Sequence, residues 1–318
     1  MHLSAQRPTR IAIIGVGNVG ATFAHALLLS SLAAEIVLID HNHHKAEGEA
    51  MDLNHAIPLV TPTRIWAGDY ADCAGATLTV ITAGSAQKPG ETRLDLLQRN
   101  ISIFQSIVPQ IVRHNPDGLI LVATNPVDIL SYATWKISGL PAQRVLGSGT
   151  ILDTARLRYL LSQQFGVDAR SVHAYIIGEH GDSEVPVWSL ANIAGMRLTE
   201  YCAANGTSCE MDLLQGIFEQ TRDAAYHIIE RKGATYYAIS AGLVAIVQAI
   251  LRDQNSVLSV SSLIESYYGI HDVYLSLPCI VDHGGVEKML RLDLSAEEIK
   301  GLQNSAKVLK ETLKQLEL

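Results

Sequence analysis

The chain is 318 residues long, with 24 Lys and Arg against 32 Asp and Glu and a net charge of -8. That length calls for two domains, or one large one with a sizeable buried interior. The acidic balance excludes an extended nucleic-acid footprint or an anionic membrane surface as a partner, so any anionic ligand must be held by a local basic group.

In chain order, "RIAIIG", "EIVLID", "TLTVITAG" and "LILVATNP" read as strands, with amphipathic helical segments between them. Near-continuous apolar strands separated by helices predict a parallel sheet covered on both faces, an α/β doubly wound (Rossmann) architecture. Its two mononucleotide-binding halves span residues 10 to about 68 and 77 to about 147. "RVLGSG" is expected to close this sheet, and "TILDTARLRYLLSQQFG" then reads as a helix ended by Gly166. The pattern changes near Gly147, which divides the chain into a dinucleotide-binding domain, 1–147, and an α+β substrate domain, 148–318. The second domain has strands at "SVHAYIIG", "SVLSVSSLIE" and "VYLSLPCIVD". Its helices are "LLQGIFEQTRDAAYHIIERKG", residues 236–251 and the charged segment from Ser295.

The opening "MHLSAQRPTR" lacks an apolar core of signal-peptide length. The most apolar window, 236–251, is interrupted by Ser240 and Gln248 and reads as a buried helix, not a membrane span. Cys73, Cys202, Cys209 and Cys279 show no CxxC spacing and fit free thiols in a reducing cytoplasm, with a Cys202–Cys209 disulfide as the minor alternative.

The first chemical motif is Gly15-x-Gly17-x-x-Gly20 around Val19, between a strand and a helix. Gly15 permits the tight turn, Gly17 lets the backbone approach a pyrophosphate at the helix N-terminus, and Gly20 lets helix and strand pack closely. Asp40, at the end of the next strand, is placed to accept bonds from an adenosine ribose and to repel a 2′-phosphate, which favours NAD over NADP. The neighbouring "HNHH", His41 to His44, has no cluster to complete a metal site and reads as a solvated helix start; no metal is assigned. Asn125 in "ATNPVDI" ends a strand beside Pro126, so its amide faces the ligand crevice. Asp153 and Arg156 share a helix face, an arrangement equally open to a plain surface salt bridge. His180 follows a strand and stands between Gly178 and Gly181, where a structural role is the bland alternative. Taken together the three are self-consistent: Asp153 fixes the imidazole tautomer and raises its pKa, His180 exchanges a proton near neutral pH, and Arg156 clamps a carboxylate.

The segments "GVGNVG", "QKPGETRLDL", "ATNPVD", "LDTARLR" and "IIGEHGDSEVPVWS" together resemble the L-lactate and malate dehydrogenase family, and most of all its bacterial L-lactate branch. The resemblance runs from about Arg10 to the C-terminal helix. It implies reversible hydride transfer between NADH and pyruvate, giving L-lactate, with His180 as proton donor, Asp153 as its orienting partner and Arg156 as carboxylate clamp. Asn125 would bond the substrate oxygen and Thr235 would border the substrate near the nicotinamide. Residues 85–93 resemble the family's lid, which would carry Arg93 onto the substrate carbonyl. Gln87 stands where a malate dehydrogenase places an arginine; a neutral group suits the methyl of pyruvate and leaves a second carboxylate unpaired. The competing assignment makes Gln87 an indifferent loop residue and gives that carboxylate to Lys88.

The resemblance further implies a homotetramer in which Arg158 and His173 bind fructose 1,6-bisphosphate across a subunit interface; both residues also suit an ordinary surface. Two departures stand out: Ala86 replaces a proline common in the lid, and "VDHGGVEKMLRL" matches the usual C-terminal hairpin only loosely. The rivals are a malate or branched 2-hydroxy-acid dehydrogenase within the class, an NAD-dependent glycosidase outside it, and a nucleotide-binding protein without catalysis.

Overall fold

The computed structural model describes residues 8–85, 90 and 92–316. The first half comprises β1 (Arg10–Ile14), α1 (Asn18–Ser30), β2 (Glu35–Ile39), α2 (His43–His55), β3 (Arg64–Ala67), β4 (Leu78–Ile81), α3 (Arg93–His114), β5 (Leu119–Val122), α4 (Val127–Ser138) and β6 (Val145–Gly147). β2, β4 and β5 are buried at every position, as strands with helices on both faces must be. All six strands run parallel in the order β3-β2-β1-β4-β5-β6. The winding direction reverses between β1 and β4, so a crevice opens at their carboxyl ends. β3, with the sequence RIWA, was not among the expected strands; one buried position in four gives an edge strand too little pattern to read.

The second half comprises α5 (Ile151–Phe165), β7 (Val172–His173), β8 (Ile176–Ile177), β9 (Val185–Pro186), β10 (Asn192–Ile193), β11 (Met196–Arg197), α6 (Leu198–Asn205), α7 (Met211–Lys232), α8 (Tyr237–Leu251), β12 (Ser256–Ile264), β13 (Val273–Asp282), β14 (Gly285–Met289) and α9 (Ala296–Gln315). Contrary to expectation, β6 does not close the sheet. β12 pairs antiparallel with it at Ser261 and Gly147, and β13 and β14 extend the sheet to nine strands. Gly147 permits this approach, because a Cβ there would stand 2.4 Å from Ser131 Oγ and 2.9 Å from Ser261 Cβ.

"SVHAYIIG", expected as one strand, divides in two: β7 joins β10 and β11, while β8 pairs with β9. α8, the apolar window, buries Leu243, Ile246, Val247 and Ile250 in one core with Phe23, Leu27 and Leu28 of α1. A separate core joins Leu157 and Leu161 of α5 to Leu214, Ile217 and Phe218 of α7.

The expectation of four free thiols is corrected for one pair: Cys202 and Cys209 form a disulfide with Cα atoms 6.0 Å apart. Gly206, left-handed at the end of α6, turns the chain back and brings them together. Cys73 and Cys279 are free and buried. Among the described residues no helix is long and apolar enough to cross a membrane.

Candidate active site

At the switch point, Gly15 follows β1 with φ +95°, and a Cβ on it would stand 2.6 Å from the Ala83 backbone. A Cβ on Gly20 would fall 1.9 Å from the Gly15 carbonyl oxygen. At Gly17 it would meet nothing within 4 Å. Gly17 is the extended residue that caps α1, whose first turn has neither a side-chain cap nor an acidic residue, so the positive helix end faces open space. Val19 lies in that first turn, partly buried. Asp40, just past β2, accepts the Val16 N–H at 2.8 Å through Oδ2 and the Asn42 N–H at 2.9 Å through Oδ1. His41 Nδ1 lies 2.9 Å from Oδ1 as well, so of the roughly four lone-pair sites of a carboxylate about one is left for a ribose hydroxyl. An open pyrophosphate cradle beside a ribose acceptor fits NAD. The nearby His43 and His44 start α2 exposed and pair with Glu47.

Farther along the crevice, α5 carries Asp153 and Arg156, with side chains 3% and 13% exposed. Asp153 Oδ1 accepts from Arg156 Nη1 at 2.8 Å, and its Oδ2 lies 2.5 Å from His180 Nδ1. Since a carboxylate only accepts, Nδ1 donates and Nε2 is left to face a substrate.

The backbone of the His180 turn is tied on three sides. Gly178 exchanges hydrogen bonds with Ser276, the Glu179 N–H donates to Ser305 Oγ at 2.6 Å, and the His180 N–H donates to Asp128 Oδ2 at 2.8 Å. Asp128 lies buried in the first turn of α4 and accepts the Ser261 hydroxyl at 2.6 Å through its other oxygen. Tyr226 of α7 adds an outer tie, donating to Asp182 at 2.9 Å.

These contacts set the proton affinities. Burial opposes the charge on His180, but Asp153, with Asp128 and Glu184, outweighs it and lifts the imidazole to about 9. Burial also opposes ionisation of Asp153, where His180 and Arg156 prevail and lower its pKa. Asp128 is pushed up to about 6 by burial, against the pull of its two hydrogen bonds. Glu184, between β8 and β9, is 6% exposed and is raised to about 9 by burial and by Asp153.

Arg156 and Thr235 line one cavity of about 730 Å³ together with Tyr159, Ile228, Tyr236 and Tyr237. Asn125 is exposed at the end of β5, on the same turn as Asp128. Arg158 faces another way: its Nε donates to the Ala174 carbonyl at 3.0 Å and its guanidinium lies 5.0 Å from the Tyr175 ring centre, beside the exposed His173 on β7. Arg93 is the first residue of α3, behind a capping box of Thr92 and Asp95. Its side chain, and Gln87, lie outside the described residues.

The family profile "lactate/malate dehydrogenase, NAD binding domain" matches residues 9–147, and "lactate/malate dehydrogenase, alpha/beta C-terminal domain" matches 150–317. The chain belongs to the lactate/malate dehydrogenase family. Curated relatives include the L-lactate dehydrogenase of Priestia megaterium, 57% identical over 95% of both chains. L-lactate dehydrogenase 1 of Clostridium acetobutylicum is 53% identical over 97% of this chain and 98% of its own. Among solved structures, the lactate dehydrogenase MGS-M5 from a Medee basin deep-sea metagenome library superposes with a TM-score of 0.95 at 44% identity, covering 98% of this chain and 100% of the other. The minor L-lactate dehydrogenase of Enterococcus mundtii gives 0.94 at 42%, covering 97% and 98%.

As a lactate/malate dehydrogenase family member, the chain is an NAD-dependent oxidoreductase, which sets aside the glycosidase and the non-catalytic binding protein. In this family member, sequence reasoning passed over Asp128, Glu184 and Ser261. An aspartate in the first turn of a helix reads as a partner of the helix dipole. Only the fold reveals that Asp128 instead joins α4, β12 and the His180 turn.

Proposed function

We infer that the chain is an L-lactate dehydrogenase that interconverts pyruvate and L-lactate, NAD supplying and accepting the hydride. One observation carries the reading: Asp153 holds His180 with one oxygen and Arg156 with the other, beside the cavity that Arg156 shares with Thr235. Asp153 fixes the donor at Nδ1, so Nε2 of the imidazolium delivers the proton to the ketone oxygen. The guanidinium has five N–H donors, enough to pair with a substrate carboxylate while it keeps Asp153. The Asn125 amide orients the substrate oxygen, and Arg93 stabilises its developing charge when residues 85–93 close over it.

Gln87 sets the preference for pyruvate. NADH oxidation compared with pyruvate and oxaloacetate tests the assignment, which expects a clear preference for pyruvate; equal or better turnover of oxaloacetate makes the chain a malate dehydrogenase. Gln87→Arg should shift kcat/KM towards oxaloacetate by about ten-fold or more, since it pairs a carboxylate that is otherwise buried alone. An unchanged ratio refutes the role of Gln87.

Arg158, bonded to the carbonyl of Ala174, and the exposed His173 that precedes Ala174 support a second reading: an anionic effector, fructose 1,6-bisphosphate, bound where subunits of a homotetramer meet. Assays at low enzyme concentration with and without the bisphosphate, alongside light scattering, decide it; an unchanged KM for pyruvate removes the effector.

A further inference from the structure

We propose that Glu184 is a positioning residue for the proton step: a buried, uncharged carboxyl that shares with His180 the proton lost to solvent at alkaline pH and so keeps the imidazole charged over a wider range. This rests on the dehydrogenase reading above and adds a group to which that reading gives no role.

Glu184 is four residues beyond His180, and its N–H closes the turn on the Gly181 carbonyl at 3.1 Å. The side chain is enclosed, and Oε1 has no hydrogen-bond partner among the described residues. A carboxyl oxygen of Glu184, one of Asp153 and a ring nitrogen of His180 all lie within 4.8 Å of one another. A carboxyl kept for structure is expected to satisfy both oxygens when buried; this one is left open beside the proton-transfer pair.

The charges facing it come from every neighbouring element. α5 contributes Asp153 and Arg156, α7 contributes Arg222, and its own turn contributes His180, which Asp128 of α4 faces in turn. With Asp153 ionised, the two cations His180 and Arg156 are already engaged by that carboxylate. A second anion within 4.8 Å of Asp153 is therefore disfavoured by burial and by like charge together. Burial and Asp153 raise Glu184 while Asp153 raises His180, and with their atoms within 4.8 Å the two groups titrate as a pair, so the first proton to leave at alkaline pH is shared between them. Whenever Glu184 gives up that proton, its charge strengthens the hold on the imidazolium.

Glu184→Gln has nearly the same shape and cannot ionise. The test is the pH profile of kcat/KM for NADH-dependent pyruvate reduction in the full-length wild type and in Glu184→Gln and Glu184→Met, with unfolding midpoints to confirm that each variant is folded. Both variants should move the alkaline limb to lower pH by about half a unit to one unit, losing about two- to five-fold activity near pH 9 and no more than about a tenth at pH 7. An alkaline limb that stays in place overturns the proposal, and so does an equal loss at every pH, which marks a structural role only. Opposite shifts in the two variants also overturn it, because both remove the same ionisation. A wild type that fails to oxidise NADH with pyruvate overturns the dehydrogenase reading and this proposal together. An active wild type whose alkaline limb is untouched by either variant overturns this proposal alone.

Discussion

Asp153 divides its two oxygens between two cations, and most of the chemistry follows from that division. An ordinary imidazole titrates near 6.5, whereas His180 stands at about 9. Because the folded value is the raised one, His180 adds stability that is fully present below about 6.5 and is lost as pH climbs through about 9. With His180 as the proposed proton donor, kcat/KM for pyruvate reduction should be level through neutral pH and fall across about 9, while lactate oxidation rises over the same interval. A pyruvate limb centred near 6.5 would contradict the pairing. Asp153→Asn removes the charge that raises His180 and the tautomer control with it. It should lower kcat by roughly 10²–10⁴-fold and bring the limb back towards 6.5. Asp153, Arg156 and His180 were legible in the sequence because the first two are spaced for one helix face and the third stands alone between glycines. Glu184 was not, since its meaning depends on Asp153, a distant residue brought beside it only by the fold.

Helices announced themselves through their ends. Gly166 stops α5, Ser295 caps α9 with a return bond from Glu298, and Thr92 and Asp95 form the same reciprocal box at the start of α3. The box at Thr92 anchors the downstream end of residues 85–93, the segment assigned to close over substrate. Thr92→Ala removes one of its two partners and should cost about 1 kcal/mol of stability. In the same variant KM for pyruvate should rise, because closure then starts from a looser hinge; denaturant unfolding and steady-state kinetics read the two effects separately. A lower midpoint with unchanged KM would confine Thr92 to stability. Strands were legible where the run of apolar or β-branched residues was long enough to show, including β12, whose Val257 is exposed. β3 has a single buried position, β7 and β8 registered only as one merged strand, and β9 to β11 are two residues each, too short for either alternation or an apolar run to register.

At the scale of the molecule, the sequence shows a change of pattern near Gly147 but not that the sheet passes through it. Pairing between β6 and β12 joins segments far apart in the chain, and no local periodicity reports such a partner. The consequence is mechanical as well as topological. Ser261 pairs with Gly147 across the seam and, through its hydroxyl, holds Asp128, which holds the His180 backbone. His180 thus hangs from the junction of the two halves, and α8 ties them again by packing its apolar face on α1, the helix that begins at the glycine turn. A ligand bound at Gly17 and Asp40 should therefore stabilise the whole chain, not its first half alone. With NADH at one hundred times its Kd, linkage gives about 2.7 kcal/mol. Scanning calorimetry should show one transition in the free protein and one in the complex, displaced upward without splitting. Two resolved transitions, of which NADH moves only one, would mean that the β6–β12 seam does not couple the halves and that His180 is held by its own half alone.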